Sequence, residues 1–574
     1  MYRKRLLHSF SALVYFSFLK VSLLPHVNCI LRFFFSSSSP FFHPFGAFYP
    51  ICPRGHNLIN APRGAIYIYI VAHVENHCYK IIKFIYIFIL PLPDEVLERV
   101  GEAAKDWALM HGAAMRSKTA FSKDALQFAP FALTPSAFPR LEFEKAVAMQ
   151  PLLNELTHRV AHDPAFLREA LAPTLAVDPF TARLHSIWDT VTKEGVTQSV
   201  SLGMLRSDIM LETRCPRESG RCRRHQPYCC WKQVEINSIA SGFGHLGPVS
   251  RRLQSFILQQ LGYLFFDFLK LPPNDALAGL CEGITAAWDL FGVPGALTLF
   301  IVEDVSYNIC DQRFHEFQIA AVRPDIRVVR RTLTQLIKDA TLDDKKQLIV
   351  EGCPVAVVYF RAGYEPGHYH TEGEWEARLT IERSNAIKCP SIHYHLAGTK
   401  KIFTESKHTC LWCRFVMKPQ REGGGNNVYG ADIVTELQRL GNDRRAYILM
   451  ERIRPPVVLG YVLRPGQPPL LADLVSELGI FGVILGSKDE VLLNKQVGHM
   501  LRTKLSDANE GGVAAGLGAM PGDQLSWNHR FDGHQIGREF ETTLHSITDL
   551  RLGLLLHSSR RNEKLARLLL KCQI

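Results

Sequence analysis

One stretch of the sequence combines the residue types that bind a triphosphate and its metal. Residues 418–429 read Lys-Pro-Gln-Arg-Glu-Gly-Gly-Gly-Asn-Asn-Val-Tyr. Three glycines let a backbone close over a ligand and expose N–H groups. Lys418 and Arg421 can pair with phosphate oxygens, and Glu422 offers a hard oxygen to Mg²⁺. No Gly-Lys-Ser/Thr follows, so this is not a P-loop. We expect a nucleotide-binding loop; a flexible surface loop is the alternative.

A second candidate is Val234-Glu-Ile-Asn237, which reads as a strand. Its period of two places Glu235 and Asn237 on one face. Two oxygen-bearing side chains on the same strand face lie near enough to share one divalent cation. A half-buried strand with a solvated face is the commoner outcome of this pattern, so the motif alone is weak.

Several arginines and one small-residue loop could act on a carboxylate substrate. Arg361-Ala-Gly-Tyr364 follows a predicted strand, at the end where open α/β sheets place their ligands. Its guanidinium could hold a carboxylate at two points. Arg206 and Arg502 are similar candidates. Residues 509–516 (Asn-Glu-Gly-Gly-Val-Ala-Ala-Gly) could form a lid.

Two other patterns indicate different chemistry. Gly242-Phe-Gly-His-Leu-Gly247 matches Gly-x-Gly-x-x-Gly, with Asp267 about twenty residues on, and favours an NAD(P)-dependent oxidoreductase as the leading rival. The preceding strand is too polar for a buried parallel strand. The pairs His368/His370 and His393/His395 could hold zinc, but their spacing fits no strong zinc motif.

The elements that must position these residues are both helices and strands. The segment Asp94–Met110 has the acidic start and the period of an amphipathic helix. Apolar runs alternate with helical patterns through the centre, which predicts an α/β or α+β fold with mixed sheets. The remaining helical patterns are Glu142–Val160 and Asp163–Leu171, and the strand-like runs are Gly295–Val302, Ile326–Arg331 and Pro354–Phe360.

Composition argues against a nucleic-acid or membrane protein. The chain has 574 residues, 47% apolar and 21% charged, and a formal charge of +11. Residues 1–93 hold nine Lys/Arg and one acidic residue, and residues 211–233 hold six Lys/Arg and two acidic residues. The remainder of the chain is therefore close to neutral. Seven of the 14 cysteines lie in the same two segments. No disulfide framework is evident, which indicates a reducing, intracellular setting.

The ends of the chain differ from its body. Residues 1–93 are apolar and aromatic, and lack helix caps and a clean period. We interpret them first as sequence outside the working protein, carried in by a gene model, second as a targeting segment, and third as a membrane anchor. The tail after Asp523 reads as an appended helix or unrelated sequence.

Together the motifs closely resemble the eukaryotic glutathione synthetase family. Those that carry the resemblance run in order from about Asp94 to Met520: Val234-Glu-Ile-Asn-Ser-Ile, Phe360-Arg-Ala-Gly-Tyr, Trp375-Glu-Ala-Arg-Leu, Glu382-Arg-Ser-Asn-Ala-Ile-Lys-Cys-Pro, Leu396-Ala-Gly-Thr-Lys-Lys, the 418–429 stretch, Tyr447-Ile-Leu-Met-Glu, Ser476-Glu-Leu-Gly-Ile-Phe-Gly, Val497-Gly-His-Met-Leu-Arg-Thr-Lys and Gly511-Gly-Val-Ala-Ala-Gly. The resemblance implies an ATP-grasp fold with an inserted α/β substrate-binding domain, and a ligase that joins γ-glutamylcysteine to glycine with ATP and Mg²⁺ through an acyl phosphate. It also implies a cytoplasmic homodimer; targeting to an organelle by the N-terminal extension is the alternative.

The resemblance also assigns residues. It implies three metal ligands: Glu235, Asn237 and Glu422. It implies an ATP site made of Glu235, Lys400, Lys418, Glu422, Gly423, Gly424, Gly425, Asn426, Asn427, Tyr429, Met450, Glu451, Arg452, Ile453, Glu477, Lys504 and Glu510. It implies a substrate site made of Arg206, Ile239, Ala240, Ser241, Gly242, Ser306, Tyr307, Asn308, Gln312, Arg361, Ala362, Gly363, Tyr364, Arg502, Val513 and Ala514. Arg502, Lys418 and Arg206 are the expected catalytic residues.

The resemblance divides the chain into five parts. These are an extension outside the family (1–93), the N-terminal part of the ligase body (94–295), a substrate-binding domain (296–398), an ATP-grasp part with the Gly-rich and Ala-rich lid loops (399–522) and an atypical tail (523–574).

The sequence departs from the family pattern at several points. Ser306 and Tyr307 replace a charged pair that usually precedes Asn308, and Glu510 stands where the family has Asp. The segment 211–233 is long, and only residues 402–417 remain where a longer helical stretch is usual. A related ligase that uses another amine and an inactive homologue are the alternatives within the family.

Overall fold

Helices and strands alternate along most of the chain, as the sequence predicts. The computed structural model describes residues 67–71, 86–213, 230–262, 271–403, 415–420, 427–508, 518–520 and 523–526. All of them lie in one compact unit, Arg54–Asn528 with Asp532–Ile574. Within these residues, each helix is too short or too polar to cross a bilayer.

Eleven α-helices lie in the described residues: α1 Asp94–Met110, α2 Arg140–Ala161, α3 Pro164–Leu175, α4 Pro179–Glu194, α5 Leu246–Gln260, α6 Ala276–Phe291, α7 Ile309–Val322, α8 Leu333–Asp339, α9 Glu372–Arg383, α10 Ile392–Ala397 and α11 Asp432–Leu440.

The strands of the described residues are β1 Tyr67–Val71, β2 Tyr86–Leu90, β3 Ala114–Met115, β4 Gln127–Phe128, β5 Phe131–Ala132, β6 Ser136–Pro139, β7 Ser201–Glu212, β8 Cys230–Asn237, β9 Leu297–Ile301, β10 Val328–Arg331, β11 Ala340–Leu342, β12 Leu348–Val350, β13 Cys353–Phe360, β14 Ile387–Cys389, β15 Phe415–Pro419, β16 Val428–Tyr429, β17 Tyr447–Glu451, β18 Val458–Leu463, β19 Leu470–Gly486, β20 Val491–Leu505, β21 Gly518–Ala519 and β22 Asp523–Ser526.

A seven-stranded sheet forms the centre of the described unit. Its order is β21-β20-β19-β18-β5, with β7 also on β19 and β8 on β7. The first part of β19 pairs with β18, and its second part pairs with β7, while β20 follows it along nearly its whole length. Ile209, Leu478 and Leu501 on one face pack with Phe143 of α2 in a buried cluster. The other face carries polar side chains at this level, and further along it Met204, Phe481 and Val483 pack in a second buried apolar cluster.

A second sheet carries the predicted substrate strands. β10, β9, β13 and β14 are parallel neighbours, and β12 and β11 extend the sheet antiparallel. Phe360 at the end of β13 lies opposite Ile301 at the end of β9. The loops that begin at residues 302 and 361 therefore leave the sheet side by side. All three strands predicted from the central apolar runs are confirmed.

A smaller three-stranded sheet has the order β16-β15-β17. In it, Val416 lies opposite both Tyr429 and Met450. Lys418 lies two residues further along β15. This sheet therefore brings predicted nucleotide-binding residues from three separate segments together.

Candidate active site

The polar face of the seven-stranded sheet collects three of the predicted residues. Along the antiparallel pair β7–β8, Arg206 lies opposite Asn237 and Asp208 lies opposite Glu235. Since strand side chains alternate, these residues share one face, and Ile209 points into the apolar cluster on the other. The prediction that Glu235 and Asn237 lie together on one strand face is confirmed.

Asp208 is the centre of this face. Its carboxylate is fully buried and accepts two hydrogen bonds of 2.7 Å from the Arg206 guanidinium. It also accepts one of 3.0 Å from Asn237 Nδ2, and the Arg502 guanidinium lies 3.5 Å away. Charge-assisted bonds to two arginines fix the positions of both. Asp208 is not among the residues predicted from the sequence; its position two residues after the candidate Arg206 was the available signal.

Gly479 makes room for this arrangement. It lies opposite Asp208 across β19 and β7. A Cβ at this position would stand 2.8 Å from Asp208 Oδ1, 2.8 Å from Met500 Cε and 2.9 Å from Arg206 Cδ. The missing side chain therefore allows the Arg206–Asp208 pair to lie flat over β19.

Two lysines approach Glu235. The Lys400 ammonium lies 2.9 Å from Glu235 Oε2, and Lys418 Nζ donates to the Val234 carbonyl over 3.3 Å. Burial raises the pKa of Glu235, but Lys400, Lys418 and Arg502 outweigh it and hold that pKa well below its usual value. The site therefore holds an ionised carboxylate surrounded by cationic side chains. The same cations could also pair with phosphate oxygens.

Glu477, Arg502 and Lys504 extend the charged face along β19 and β20. Glu477 lies opposite Arg502 and forms an ion pair with it. Burial raises the pKa of Glu477, and Arg502 opposes this only in part, because Asp208 and Glu235 add negative charge nearby. Lys504 lies two residues from Arg502 and so shares its face.

The three-stranded sheet supplies a platform beside these charges. Asn427 Nδ2 donates to the Tyr429 hydroxyl over 3.3 Å, and the Arg452 guanidinium lies 5.9 Å from the centre of the Tyr429 ring. Met450 is held across β15 from Tyr429. Glu451, next along β17, pairs with Lys232 at 3.1 Å. The 450–453 segment thus borders Tyr429, as a nucleotide site there would require.

Arg361 lies at the carboxyl end of β13, as predicted. Its guanidinium is buried and donates to Asp311 Oδ2 over 3.1 Å and to the Tyr359 hydroxyl over 3.2 Å. Asp311 is a second residue that the sequence motifs did not indicate. Its position between Asn308 and Gln312 was the available signal.

The loop 242–247 holds Asp311 and not a dinucleotide. The Asp311 carboxylate accepts hydrogen bonds from the N–H groups of Phe243 (2.9 Å) and His245 (3.0 Å). A side chain on Gly247 would lie 2.5 Å from the His499 carbonyl oxygen, so that glycine serves close packing. The preceding strand β8 is also antiparallel to β7. The interpretation as an NAD(P)-dependent oxidoreductase is therefore wrong, because the protein's own carboxylate takes the anion position.

Gly242 lies between Arg206 on the seven-stranded sheet and Arg361 at the end of β13. Its carbonyl accepts a 2.8 Å hydrogen bond from Arg206, and a Cβ on it would lie 3.8 Å from Arg361 Nη2. Ser241 donates to the Met204 carbonyl over 3.0 Å, which fixes the turn after β8. The structure thus brings the predicted Arg206, Ser241, Gly242 and Arg361 together.

The remaining predicted substrate residues line the neighbouring loops. Gln312 donates to Asn308 Oδ1 over 2.7 Å, and Tyr364 donates to Glu303 over 3.1 Å. Ser306 is buried, whereas Tyr307 packs edge-on against Phe121. Ile239 and Ala240 lie in the turn that follows β8, and Ala362 and Gly363 lie in the turn that follows β13.

The described residues fit a Mg²⁺ ion in part. Asn237 Nδ2 faces Asp208, which leaves Oδ1 as the oxygen available to a cation beside the Glu235 carboxylate. Carboxylate and amide oxygens are suitable ligands for Mg²⁺. Across the ranges that the structure describes, no group of three or more His, Cys, Asp and Glu side chains suits a metal. The histidine pairs at 368–370 and 393–395 therefore gain no support as a zinc site.

Several predictions lie outside the described residues. They are Glu422, Gly423, Gly424, Gly425, Asn426, Glu510, Val513 and Ala514, together with the whole 509–516 loop.

A comparison with protein families identifies the chain. The family model for the eukaryotic glutathione synthase ATP-binding domain matches residues 94–409 and 404–523. The chain belongs to the eukaryotic glutathione synthase family. The resemblance in the sequence motifs is thereby confirmed.

Individual glutathione synthetases agree with this assignment. The human protein is 38% identical over 468 residues, covering 74% of this chain and 96% of its own length. The Xenopus laevis protein is 37% identical, covering 75% and 97%. The chloroplastic glutathione synthetase of Arabidopsis thaliana is 35% identical, covering 75% and 85%.

A solved structure supports the fold. A glutathione synthetase-like effector from Globodera pallida, in its apo form, superposes with a TM-score of 0.61 at 24% identity, covering 76% of this chain and 98% of its own. The predicted mixed α/β, ATP-grasp-type fold is confirmed by this likeness.

Proposed function

We propose that this glutathione synthase family member joins γ-L-glutamyl-L-cysteine to glycine with ATP, and releases glutathione, ADP and phosphate. The arrangement of Glu235 and Asn237 beside Lys400 and Lys418 carries the proposal. It combines oxygen ligands for Mg²⁺ with cations for phosphate on one sheet face. Family membership supplies the substrates.

Each side of the site has a distinct task. Glu235, Asn237 and Glu422 would hold Mg²⁺, which supplies charge stabilisation to the phosphates when bound. Lys400 and Lys418 pair with phosphate oxygens as the γ-phosphate moves to the cysteinyl carboxylate and ADP leaves.

The resulting acyl phosphate needs no protein nucleophile. Glycine's amine attacks its carbonyl carbon, phosphate leaves, and the amine loses a proton. Arg206 and Arg502, held by Asp208, orient the carboxylate and balance its charge. The intermediate must be shielded from water, which would otherwise hydrolyse it, and residues 423–425 and 511–516 are the proposed shield.

The central experiment measures ADP formation and the product mass with ATP, Mg²⁺, γ-glutamylcysteine and glycine. We expect both only when all components are present. β-Alanine in place of glycine tests the related amine specificity. Binding of Mg·ATP without phosphate release would indicate an inactive homologue, for which the short 402–417 connection is the physical reason. Stabilisation by NAD(P) alone would contradict the ligase.

The metal assignment makes a separate prediction. Glu422→Gln removes the negative oxygen proposed for Mg²⁺ and should lower kcat about 100-fold or more, as loss of several kcal/mol of charge stabilisation implies. The measurement is turnover as a function of Mg²⁺ concentration. Glu436→Gln is the control and should keep wild-type turnover, because Glu436 is a half-buried carboxylate on α11 that pairs with the exposed Arg439. Unchanged turnover in Glu422→Gln would refute the assignment.

We also propose a cytoplasmic homodimer. Two large apolar side chains are exposed at the end of α1 and on α7: Met110 is 80% exposed and Phe317 is 57% exposed. The two elements are neighbours, because the Phe314 ring of α7 packs against Phe317 and lies beside Gly112, which follows the end of α1. Exposed apolar patches of this kind are typical of interfaces between subunits, and a second copy of the chain is the proposed occupant.

A further inference from the structure

A second ionisable cluster lies where β9 and β13 end side by side. The Tyr364 hydroxyl donates to Glu303 Oε1 over 3.1 Å, and His368 Nε2 lies 3.1 Å from the same oxygen. The Gly363 N–H donates to His368 Nδ1 over 3.0 Å. Because Nδ1 is an acceptor, the ring proton of neutral His368 is on Nε2 and is donated to Glu303. The cluster thus carries its negative charge on Glu303.

Glu303 has a free acceptor. Both hydrogen bonds fall on Oε1, no hydrogen bond reaches Oε2 from the described residues, and 26% of the side chain is exposed. Burial raises the pKa of Glu303, but His368, Tyr364 and Arg361 together hold it below its usual value. A carboxylate fixed through one oxygen and open at the other suits a cationic N–H donor.

The same loop carries no charge at positions 306 and 307. Ser306 is buried, and its hydroxyl donates to the backbone carbonyl of Glu303 over 3.3 Å. Tyr307 turns to Phe121 and to Lys118, whose ammonium lies 5.4 Å from its ring centre. Glu303 is therefore the half-buried carboxylate that this loop presents beside Tyr364.

We propose that Glu303 binds the α-ammonium group of the γ-glutamyl dipeptide and makes the enzyme select substrates with a free amino group at that end. The inference rests on the proposed function, since the dipeptide is its substrate. Tyr364 and His368 position the carboxylate. The ammonium group donates to Oε2, and the predicted substrate residues Asn308 and Arg361 belong to the same edge of the sheet.

The test removes the charge from either partner. Equilibrium binding to the full chain is measured by calorimetry for γ-glutamylcysteine and for N-glutarylcysteine, which lacks only the amino group. Wild type should prefer the amino dipeptide about tenfold or more, the value of one charge-assisted hydrogen bond. Glu303→Gln should bring the ratio close to one by weakening only the amino dipeptide. Glu365→Gln, which removes the carboxylate 3.5 Å from His368 Nε2, is the matched control and should keep the wild-type ratio.

The two ligands also test the inference in wild type, without a variant that must fold. Equal binding of both dipeptides to wild type, or an unchanged ratio in folded Glu303→Gln, overturns the role of Glu303. Turnover of γ-glutamylcysteine with glycine and ATP tests the proposed function separately. An active wild type with no amino-group preference would refute this inference alone.

Discussion

The charged face of the site depends on one buried carboxylate. Asp208 accepts hydrogen bonds from Arg206 and Asn237 and lies 3.5 Å from Arg502. Without it, two guanidinium groups would face each other with less compensation, and the Asn237 amide would lose the bond that orients its oxygen. Asp208 is therefore a positioning residue for the proposed metal and carboxylate sites.

Asp208→Asn should damage both stability and turnover. Removing one partner of a buried ion pair costs about 3–5 kcal/mol, so urea denaturation should show a much lower unfolding free energy. The amide also releases Asn237, so the Mg²⁺ concentration for half-maximal turnover should rise. Asp325→Asn, an exposed carboxylate paired with Arg323, is the control and should change neither. A stable variant with wild-type Mg²⁺ dependence would contradict this role.

At the scale of elements, the long strand β19 aligns the site. It holds Glu477 opposite Arg502 on β20 and Gly479 opposite Asp208 on β7. The polar residues of three strands therefore meet on one face, while Leu478 and Ile480 pack in the apolar cluster under the other. Around Glu477 the strand separates the binding residues on one face from the core residues on the other, whereas further along Phe481 and Val483 make the first face apolar as well.

Gly479→Ala should disturb the site through contact alone. The new methyl group would lie within 2.9 Å of both Asp208 and Arg206, and such overpacking typically costs about 1–3 kcal/mol. We expect a higher KM for γ-glutamylcysteine and a lower unfolding midpoint. Gly101→Ala is the control, because its Cβ meets only a side-chain atom at 3.5 Å in helix α1; alanine there should be neutral or stabilising by up to about 1 kcal/mol. Equal behaviour of the two variants would refute the steric argument.

Across the whole molecule, several buried histidines are neutral, and they make the folded protein less stable in acid. Burial lowers the pKa of His158, His245, His315 and His393 to about 4, from 6.5. For His158, burial and the neighbouring His162 lower the pKa and outweigh the hydrogen bond to the Ser487 carbonyl, which raises it. Unfolded histidines bind protons near pH 6.5, whereas these bind them only near pH 4.

The unfolding free energy should therefore fall as pH drops from 6.5 to 4, because the unfolded chain binds more protons in this window. A tenfold weaker proton affinity in the folded chain is worth about 1.4 kcal/mol for each histidine. Urea unfolding at pH 7.5, 6.5, 5.5 and 4.5 measures the slope, and His158→Gln should make it shallower. A constant unfolding midpoint across this range would contradict the prediction.

The proposed homodimer is tested at the same scale. Phe317→Asp places a charge in the exposed apolar patch and should shift the sedimentation mass from two chains towards one. Leu492→Asp is the control, since Leu492 is 47% exposed on β20 and should leave the mass unchanged. A wild type that sediments as one chain at micromolar concentration would contradict the dimer.

The sequence alone determined the residue types of the site and their local placement. The alternation of Glu235 and Asn237, the helix at Asp94–Met110 and the strand before Arg361 follow from periods of two and 3.6 residues, which need no knowledge of distant contacts. The ordered motifs also identified the family. The domain boundaries, the individual roles of the site residues and the 418–429 loop as a nucleotide site remain predictions.

Only the tertiary structure decided which charges meet. The register of β7 against β8 and β19 places Asp208 between Arg206, Asn237 and Arg502, residues separated by up to hundreds of positions. The same is true of Asp311, which fills the 242–247 loop that the sequence offered to a dinucleotide. Strand alternation is a local property of the chain, whereas ion pairing depends on how distant strands align, and no period in the sequence encodes that alignment.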